Sequence, residues 1–268
     1  MRTFSVNELP IVLLLIAVGA PGCRVLGVEP LPCDSASVCR ANEECLDGVC
    51  SAVGREGEGE GEAHGPWQLL HQTDSEFTSE ITVPPTQVNS LIVVATELDN
   101  SVEATDVTDD GGNVYVQAPG SLARNGTLSG TRLQVFFSIA AQVATTLSVV
   151  SPPSTDPVAI VAWEVQGIDV ETPFDAAAAV SDELHSTTPQ GPEITTSVPG
   201  AFVISAIVTG SVSSIAPDNE FTNDTLIRAN GWAHLTSNTA DAGLHQAAWL
   251  SDDSPYCATA VAFRPAPR

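Results

Sequence analysis

No lysine occurs in the 268 residues; all nine basic side chains are arginine, against 33 acidic ones, and the formal net charge is -24. A chain this acidic repels phosphate backbones, which excludes nucleic acid as a direct partner. It is repelled by an anionic bilayer too, so membrane attachment would have to rest on a lipid rather than on a basic patch. Aromatic residues make up only 5% of the chain, too few for a broad stacking surface. The five histidines are scattered, with none at ligand spacing from another, so no metal set is expected. G-x-S-x-G, H-E-x-x-H and phosphate-binding glycine loops are missing, which removes the usual hydrolase, zincin and nucleotide signatures. No cofactor is expected, and the chain reads as a non-enzyme. Long apolar runs are missing as well: residues 11–20 (IVLLLIAVGA) reach about half of the roughly 20 residues that a spanning helix needs.

That short run does have a reading. It follows a single basic residue, Arg2, and ends in small residues at Pro21-Gly22, the pattern of an export signal over residues 1–22. Its removal takes away one Arg (Arg2) and one Glu (Glu8), which leaves the net charge unchanged. Ala20-Pro21-Gly22-Cys23 resembles the lipobox of bacterial lipoproteins, in which the cysteine is acylated after cleavage. Gly22 and Cys23 match that pattern, while Pro21 departs from it. The resemblance implies a lipid anchor at Cys23 and a place at the outer membrane or cell surface. Ordinary signal cleavage, giving a secreted soluble protein, is the alternative.

Residues 23–53 carry Cys33, Cys39, Cys45 and Cys50 at the spacing C-x5-C-x5-C-x4-C. Without a C-x-x-C knuckle, zinc is disfavoured, and in an exported chain two disulfides are expected. Four cysteines allow three connectivities; the interleaved one, Cys33–Cys45 with Cys39–Cys50, would best knot a segment that has almost no apolar content. The segment resembles the short cysteine-rich, growth-factor-like modules near the N-terminus of surface proteins of predatory, myxobacterial-like bacteria, which implies a spacer or contact module. Cys257 lies in an alternating apolar stretch and reads as a buried, inert thiol; a Cys23–Cys257 bridge is the alternative if Cys23 is not acylated. Residues 54–65 (GREGEGEGEAHG) read as an extended, self-repelling linker with an r.m.s. span on the order of 20 Å.

From residue 66 to 268 the hydrophobic period is two. Residues 90–97 (SLIVVATE) form a near-continuous β-branched run of the kind buried on both faces, and further runs recur between Pro, Gly, Asn, Asp and Ser clusters. The expected fold is all-β, an antiparallel β-sandwich of jelly-roll or concanavalin-like type, as one domain or as two small halves packed together. Residues 175–184 around an alanine run read as an irregular strand or loop. An internal echo supports two halves: NSLIVVAT at 89–96 parallels GAFVISAIVT at 200–209. Asp109-Asp110-Gly111-Gly112-Asn113-Val114-Tyr115 reads as a tight hairpin turn in preference to a calcium loop. It resembles the D-x-x-G-N-x-Y element of bacterial and phage-associated exported sandwiches, as Trp163-Glu164-Val165-Gln166-Gly167 and Ala262-Phe263-Arg264-Pro265 resemble that family's other two strands. The resemblance implies fold only.

Three positions attract chemistry. Glu164 interrupts an apolar strand; on an inner sheet face it would suit a glycoside hydrolase, whereas alternation is expected to turn it outward. Asn230-Gly231 predicts a two-residue hairpin loop pairing Ala229 with Trp232, Ile227 with His234 and Leu226 with Leu235, which buries the leucines and leaves Trp232 nearer solvent. Trp232 and His234 would then share a face that suits a sugar ring, with an ordinary packing role as the preferred reading at 5% aromatics. His185 reads as part of a solvated loop. The resulting expectation is a lipid-anchored surface protein whose sandwich binds a glycan or a surface protein. The alternatives are a carbohydrate-active enzyme using Glu164 and a purely structural display subunit.

Overall fold

The computed structural model describes residues 43–46, 49–52, 66–152, 157–210, 216–217, 220–228, 230–235 and 241–267. Among these residues there are twenty strands and no helix. In the first compact unit, Met1–Glu60, β1 (Glu43–Leu46) and β2 (Val49–Ala52) form an antiparallel ladder whose backbone register sets Cys45 opposite Cys50. Cys23, Cys33, Cys39, the leader and the linker at 54–65 lie outside the described residues.

The second unit, Gly61–Arg268, holds the other strands. Its first half runs β3 (Gln68–Glu76), β4 (Glu80–Thr82), β5 (Leu91–Leu98), β6 (Asp106–Asp109), β7 (Val116–Gln117), β8 (Ala123–Asn125), β9 (Thr131–Ile139), β10 (Thr146–Val150) and β11 (Ala159–Gln166). Its second half runs β12 (Phe174–Ser186), β13 (Ile194–Thr195), β14 (Phe202–Thr209), β15 (Ala216–Pro217), β16 (Phe221–Ile227), β17 (Asn230–Leu235), β18 (Leu244–His245), β19 (Trp249–Leu250) and β20 (Ser254–Phe263).

The two halves repeat one topology. In the first, the main sheet has the order β3-β11-β5-β9-β7, with β8 also on β9; in the second it is β12-β20-β14-β17-β16. In each, the half's final strand is inserted between its first strand and the long apolar strand at the centre. The registers correspond as well: Leu91 faces Val165 where Phe202 faces Phe263. A left-handed residue stands two positions before each central strand, Asn89 (φ 67°) and Gly200 (φ 73°), and turns the chain into it. The echo between 89–96 and 200–209 is thus a repeated structural unit.

Apolar alternation then dictates layers. Leu91, Val93 and Ala95 of β5 pack with Phe202, Ile204, Ala206 and Val208 of β14 in one core between the main sheets. The opposite faces pack elsewhere. Ile92 and Val94 join Ile81, Val107, Leu147 and Val149 of the small β4-β10-β6 sheet. Val203 and Ile207 join Ile194 of β13 and Trp249 of β19. A strand buried on both faces has no reason to alternate with polar residues, and β5 and β14 are buried at every position. The fold is all-β and antiparallel, with its sheets packed against each other as a sandwich.

Several local expectations change. Residues 174–186 form a strand with register shifts where it meets β20, which agrees with the irregular-strand reading; what changes is that His185 lies near its end rather than in a loop. The Asp109–Tyr115 segment is not a hairpin: β6 pairs with β10 in the small sheet and β7 with β9 in the main one, so the segment crosses between layers. Asn230-Gly231 is not the turn either. Ile227 faces Asn230, Leu226 faces Gly231 and Phe221 faces Leu235, so the chain reverses between 227 and 230. Gly231 is required for another reason: a Cβ there would lie within 3.0 Å of three Trp249 ring atoms.

Candidate functional site

The shifted register decides the fate of the aromatic candidate. Trp232 pairs with Ala206 of β14 and is fully buried between the main sheets, whereas Leu226 is 38% exposed. A stacking platform must offer its face to solvent, and Trp232 offers none. His234 is nearly buried too. Its Nδ1 lies 2.7 Å from Asp224 Oδ1, and the other oxygen of Asp224 accepts the Trp163 indole N–H at 2.8 Å. Asp224 reaches inward because it is the extra residue of a bulge in β16; bulges re-aim side chains in this way. This Asp224–His234–Trp163 bridge ties the two repeats together. No serine or cysteine nucleophile hydrogen-bonds His234 among the described residues.

Glu164 is neither outward nor in a cleft. Trp163 takes the inter-repeat face, so alternation puts Glu164 on the opposite face, but the small sheet covers that face and Glu164 is 4% exposed. Oε1 accepts from the Gln87 N–H and the Ser90 hydroxyl and so holds the turn into β5. Oε2 borders a cavity of about 10 Å³ beside His71, whose Nε2 is 3.7 Å away. That volume suits one water molecule; a sugar does not enter.

The acidic crossing segment is satisfied internally. Asp109 accepts from Asn113 N, Asn113 Nδ2 and the Tyr115 hydroxyl. Asn113 Oδ1 accepts from the N–H groups of Ala141 and Gln142, and Asp110 from Thr145 and Thr146. These bonds hold Asp110 below the usual carboxylate range, and burial beside Asp109 raises the Tyr115 phenol. The segment is a clamp on the 140–145 loop. Asn125, in the glycosylation-type sequence Asn125-Gly126-Thr127, is 1% exposed and donates to Tyr256 O, so its side chain is inaccessible. Cys257 is a free, fully buried thiol pushed up to about 12 by desolvation and then by the charge of Glu97; the inert-thiol reading stands.

The cleft that remains was not singled out from sequence. It lies where the C-terminal ends of β5 and β14 meet at one end of the inter-repeat core, with a volume of about 280 Å³. The first repeat contributes Glu97, Asp99, Ser129 and Thr131, and the second Thr209, Arg228 and Asn230. Glu97 is only 3% exposed. Its Oε2 accepts from Asn230 Nδ2 at 2.9 Å, and Asn230 Oδ1 in turn accepts from the Thr209 N–H. Its Oε1 has no hydrogen-bond partner among the described residues. Desolvation, then the neighbouring Asp99, raise the Glu97 carboxyl to about 7; the Asn230 bond and the Arg228 charge oppose that rise. Asp99 Oδ1 accepts from the Thr131 hydroxyl.

Backbone strain gathers at the same place. Among the described residues six non-glycines have positive φ, and five of them lie in or next to this cleft's lining or against Arg228. Ser129 and Arg228 line it, Asn100 and Ser101 follow Asp99, and Phe77 carries the Arg228 guanidinium 4.9 Å above its ring. For a bulky residue such as Phe77, 59% exposed at φ 54°, left-handed backbone is costly and persists only where its surroundings enforce it. Arg228 also lines a second groove with Asp74, Glu76 and Leu226. The cleft thus offers carboxylate, amide, hydroxyl and guanidinium groups, with an exposed aromatic ring at its mouth.

Among the described residues, no three or more His, Cys, Asp or Glu side chains converge as a metal set. No helix among them is long and apolar enough to cross a membrane. No family model, curated protein or solved structure matches the chain.

Proposed function

We propose that the chain is an exported surface protein, anchored through acylated Cys23, whose paired sandwiches form a non-catalytic binding module with a glycan as ligand. The inter-repeat cleft is the receiving site. The observation that carries this reading is the buried Glu97, with one oxygen bonded across the repeats and the other unpartnered in a polar cleft ringed by strained backbone. Planar carboxylate and amide groups suit the paired hydroxyls of a sugar ring, and the Phe77–Arg228 stack offers a flat edge to its apolar face. The volume lies at the lower end of that of ligand pockets and fits one sugar unit. Less favours the enzymatic alternative, because one Glu164 oxygen holds the β5 turn and the other borders a cavity of only about 10 Å³.

The full-length protein, screened on a glycan array, is expected to retain a defined set of sugars. Arg228→Gly separates binding from folding. Glycine adopts the left-handed backbone without cost, so the variant should fold at least as stably as the wild type and lose the array signal. An array blank for the wild type, or a signal unchanged in Arg228→Gly, would overturn the reading. Mass spectrometry of the mature N-terminus tests the anchor: an unacylated Cys23 removes it.

A further inference from the structure

Glu97 has an unusual placement for a carboxyl group. It stands on the inter-repeat face of β5, in line with Leu91, Val93 and Ala95, where an apolar side chain would close the core. Neither Glu97 nor Asp99 forms an ion pair among the described residues; their partners are the Asn230 amide and the Thr131 hydroxyl. The other titratable or charged groups around Glu97 are Arg228 from the β16–β17 turn and the Cys257 thiol of β20, with Arg132 of β9 beyond that thiol. Arg228 is an exposed lining residue whose guanidinium is held over the Phe77 ring and forms no ion pair with Glu97. One carboxylate oxygen without a hydrogen-bond partner therefore lines the cleft, a second carboxylate lies beside it, and the Arg228 charge, which acts on Glu97 without an ion pair, does not offset the burial.

A buried carboxyl group in this state is strongly stabilised by a cation that donates a hydrogen bond to it, because charge-assisted bonds strengthen in a desolvated site. We propose that the glycan received by this cleft is an amino sugar, its protonated amine seated between Glu97 and Asp99 with its ring hydroxyls on Thr131 and Asn230. This rests on the reading of the cleft as a glycan site and names the substituent that the site selects. Because Glu97 is partly protonated near neutral pH in the empty cleft, seating the ammonium expels that proton to the buffer and leaves a carboxylate–ammonium pair.

The test pairs a glucosamine trimer with an N-acetylglucosamine trimer, which have the same backbone and differ in the amine. Isothermal titration calorimetry with the full-length protein is expected to show at least tenfold tighter binding of the amine form. In buffers of different ionisation heat, that binding should release protons, more at pH 6 than at pH 8. Glu97→Gln keeps an acceptor for Asn230 and changes the net charge only from -24 to -23. Loss of the preference in this variant therefore reports the site and not general attraction of a cation to an acidic protein. Equal binding of both trimers, a preference for the acetylated one, or a preference that survives Glu97→Gln would overturn the amine assignment and leave the glycan site standing. Binding of neither trimer together with a blank array overturns both. Proton release is read on the wild type, so it decides the matter even if the variant misfolds.

Discussion

At the C-terminal end of β5 the residue turned toward the inter-repeat core is Glu97; at the matching place in β14 it is Val208. The neighbours match as well: Glu97 faces Ala159, and Val208 faces Cys257. One repeat ends its central strand with a carboxyl group and the other with a methyl pair. Had both ended in valine, the sheets would seal at this end as they do along the rest of the core. The cleft is therefore a departure from the repeat's own pattern. The same contrast recurs on the outer faces, where Glu164 of β11 corresponds to Ala262 of β20. There one carboxylate oxygen holds the β5 turn and the other borders a cavity of about 10 Å³, and alanine needs nothing. A repeated scaffold supplies the strands; the polar residue that breaks its pattern marks either a local structural bond or a site, and the space beside its unbonded oxygen tells the two apart, about 10 Å³ at Glu164 against about 280 Å³ at Glu97.

The largest effect is expected where the repeats meet. Trp163 of β11 and Val261 of β20 occupy matching positions in the shared core. Trp163→Ala should cost about 3–5 kcal/mol of unfolding free energy, from the cavity it leaves and from the loss of the donor to buried Asp224. Val261→Ala should cost about 2 kcal/mol. Urea denaturation measures both. Equal losses would mean that neither the larger cavity nor the Asp224 bridge contributes.

The second effect follows pH. The folded-state value of Glu97, about 7, lies above its ordinary 4.5. Below about 4.5 the group is protonated in both states and costs nothing. As pH rises toward 7 the unfolded chain has already lost the proton that the fold retains, so stability falls. Above 7 the full cost stands, at most about 3 kcal/mol. Between pH 5 and pH 8 the wild type should therefore lose more stability than Glu97→Gln, whereas Val208→Ala should parallel the wild type. Parallel curves for the wild type and Glu97→Gln would show that the carboxyl is not held in a desolvated state.

Much of the scaffold is legible in the residues themselves. The apolar runs at 91–98 and 202–209 indicate strands buried on both faces, and their likeness indicates a repeat. Less legible is what alternation means once there are more than two layers. Glu164 was expected outside because a single sandwich has an outside face there, and the small sheet removes it. β3 carries little strand signal because its polar sequence, QLLHQTDSE, suits a half-exposed edge strand, with only one neighbour in the main sheet. Glu97 carries no local signal either. A glutamate at the end of an apolar run looks like a strand terminus, and only long-range packing brings it beside Asn230, which is 133 positions away.

Asn230-Gly231 shows how one dipeptide can have two physical explanations, and the smallest of these effects tests the one the structure supports. Gly231 of β17 corresponds to Gln134 of β9. In the first repeat the Gln134 side chain fills the space over the strand and caps both the N–H and the carbonyl of Ala104. In the second the Trp249 indole occupies that space and leaves no room for a Cβ. Gly231→Ala should therefore destabilise by overpacking, about 1–3 kcal/mol. Combining it with Trp249→Leu should make the alanine nearly neutral, because the ring it strikes is gone. Were Gly231 a turn residue, the alanine would strain the backbone whatever stood at 249. A double-mutant cycle that shows no coupling between 231 and 249 would return the glycine to the turn.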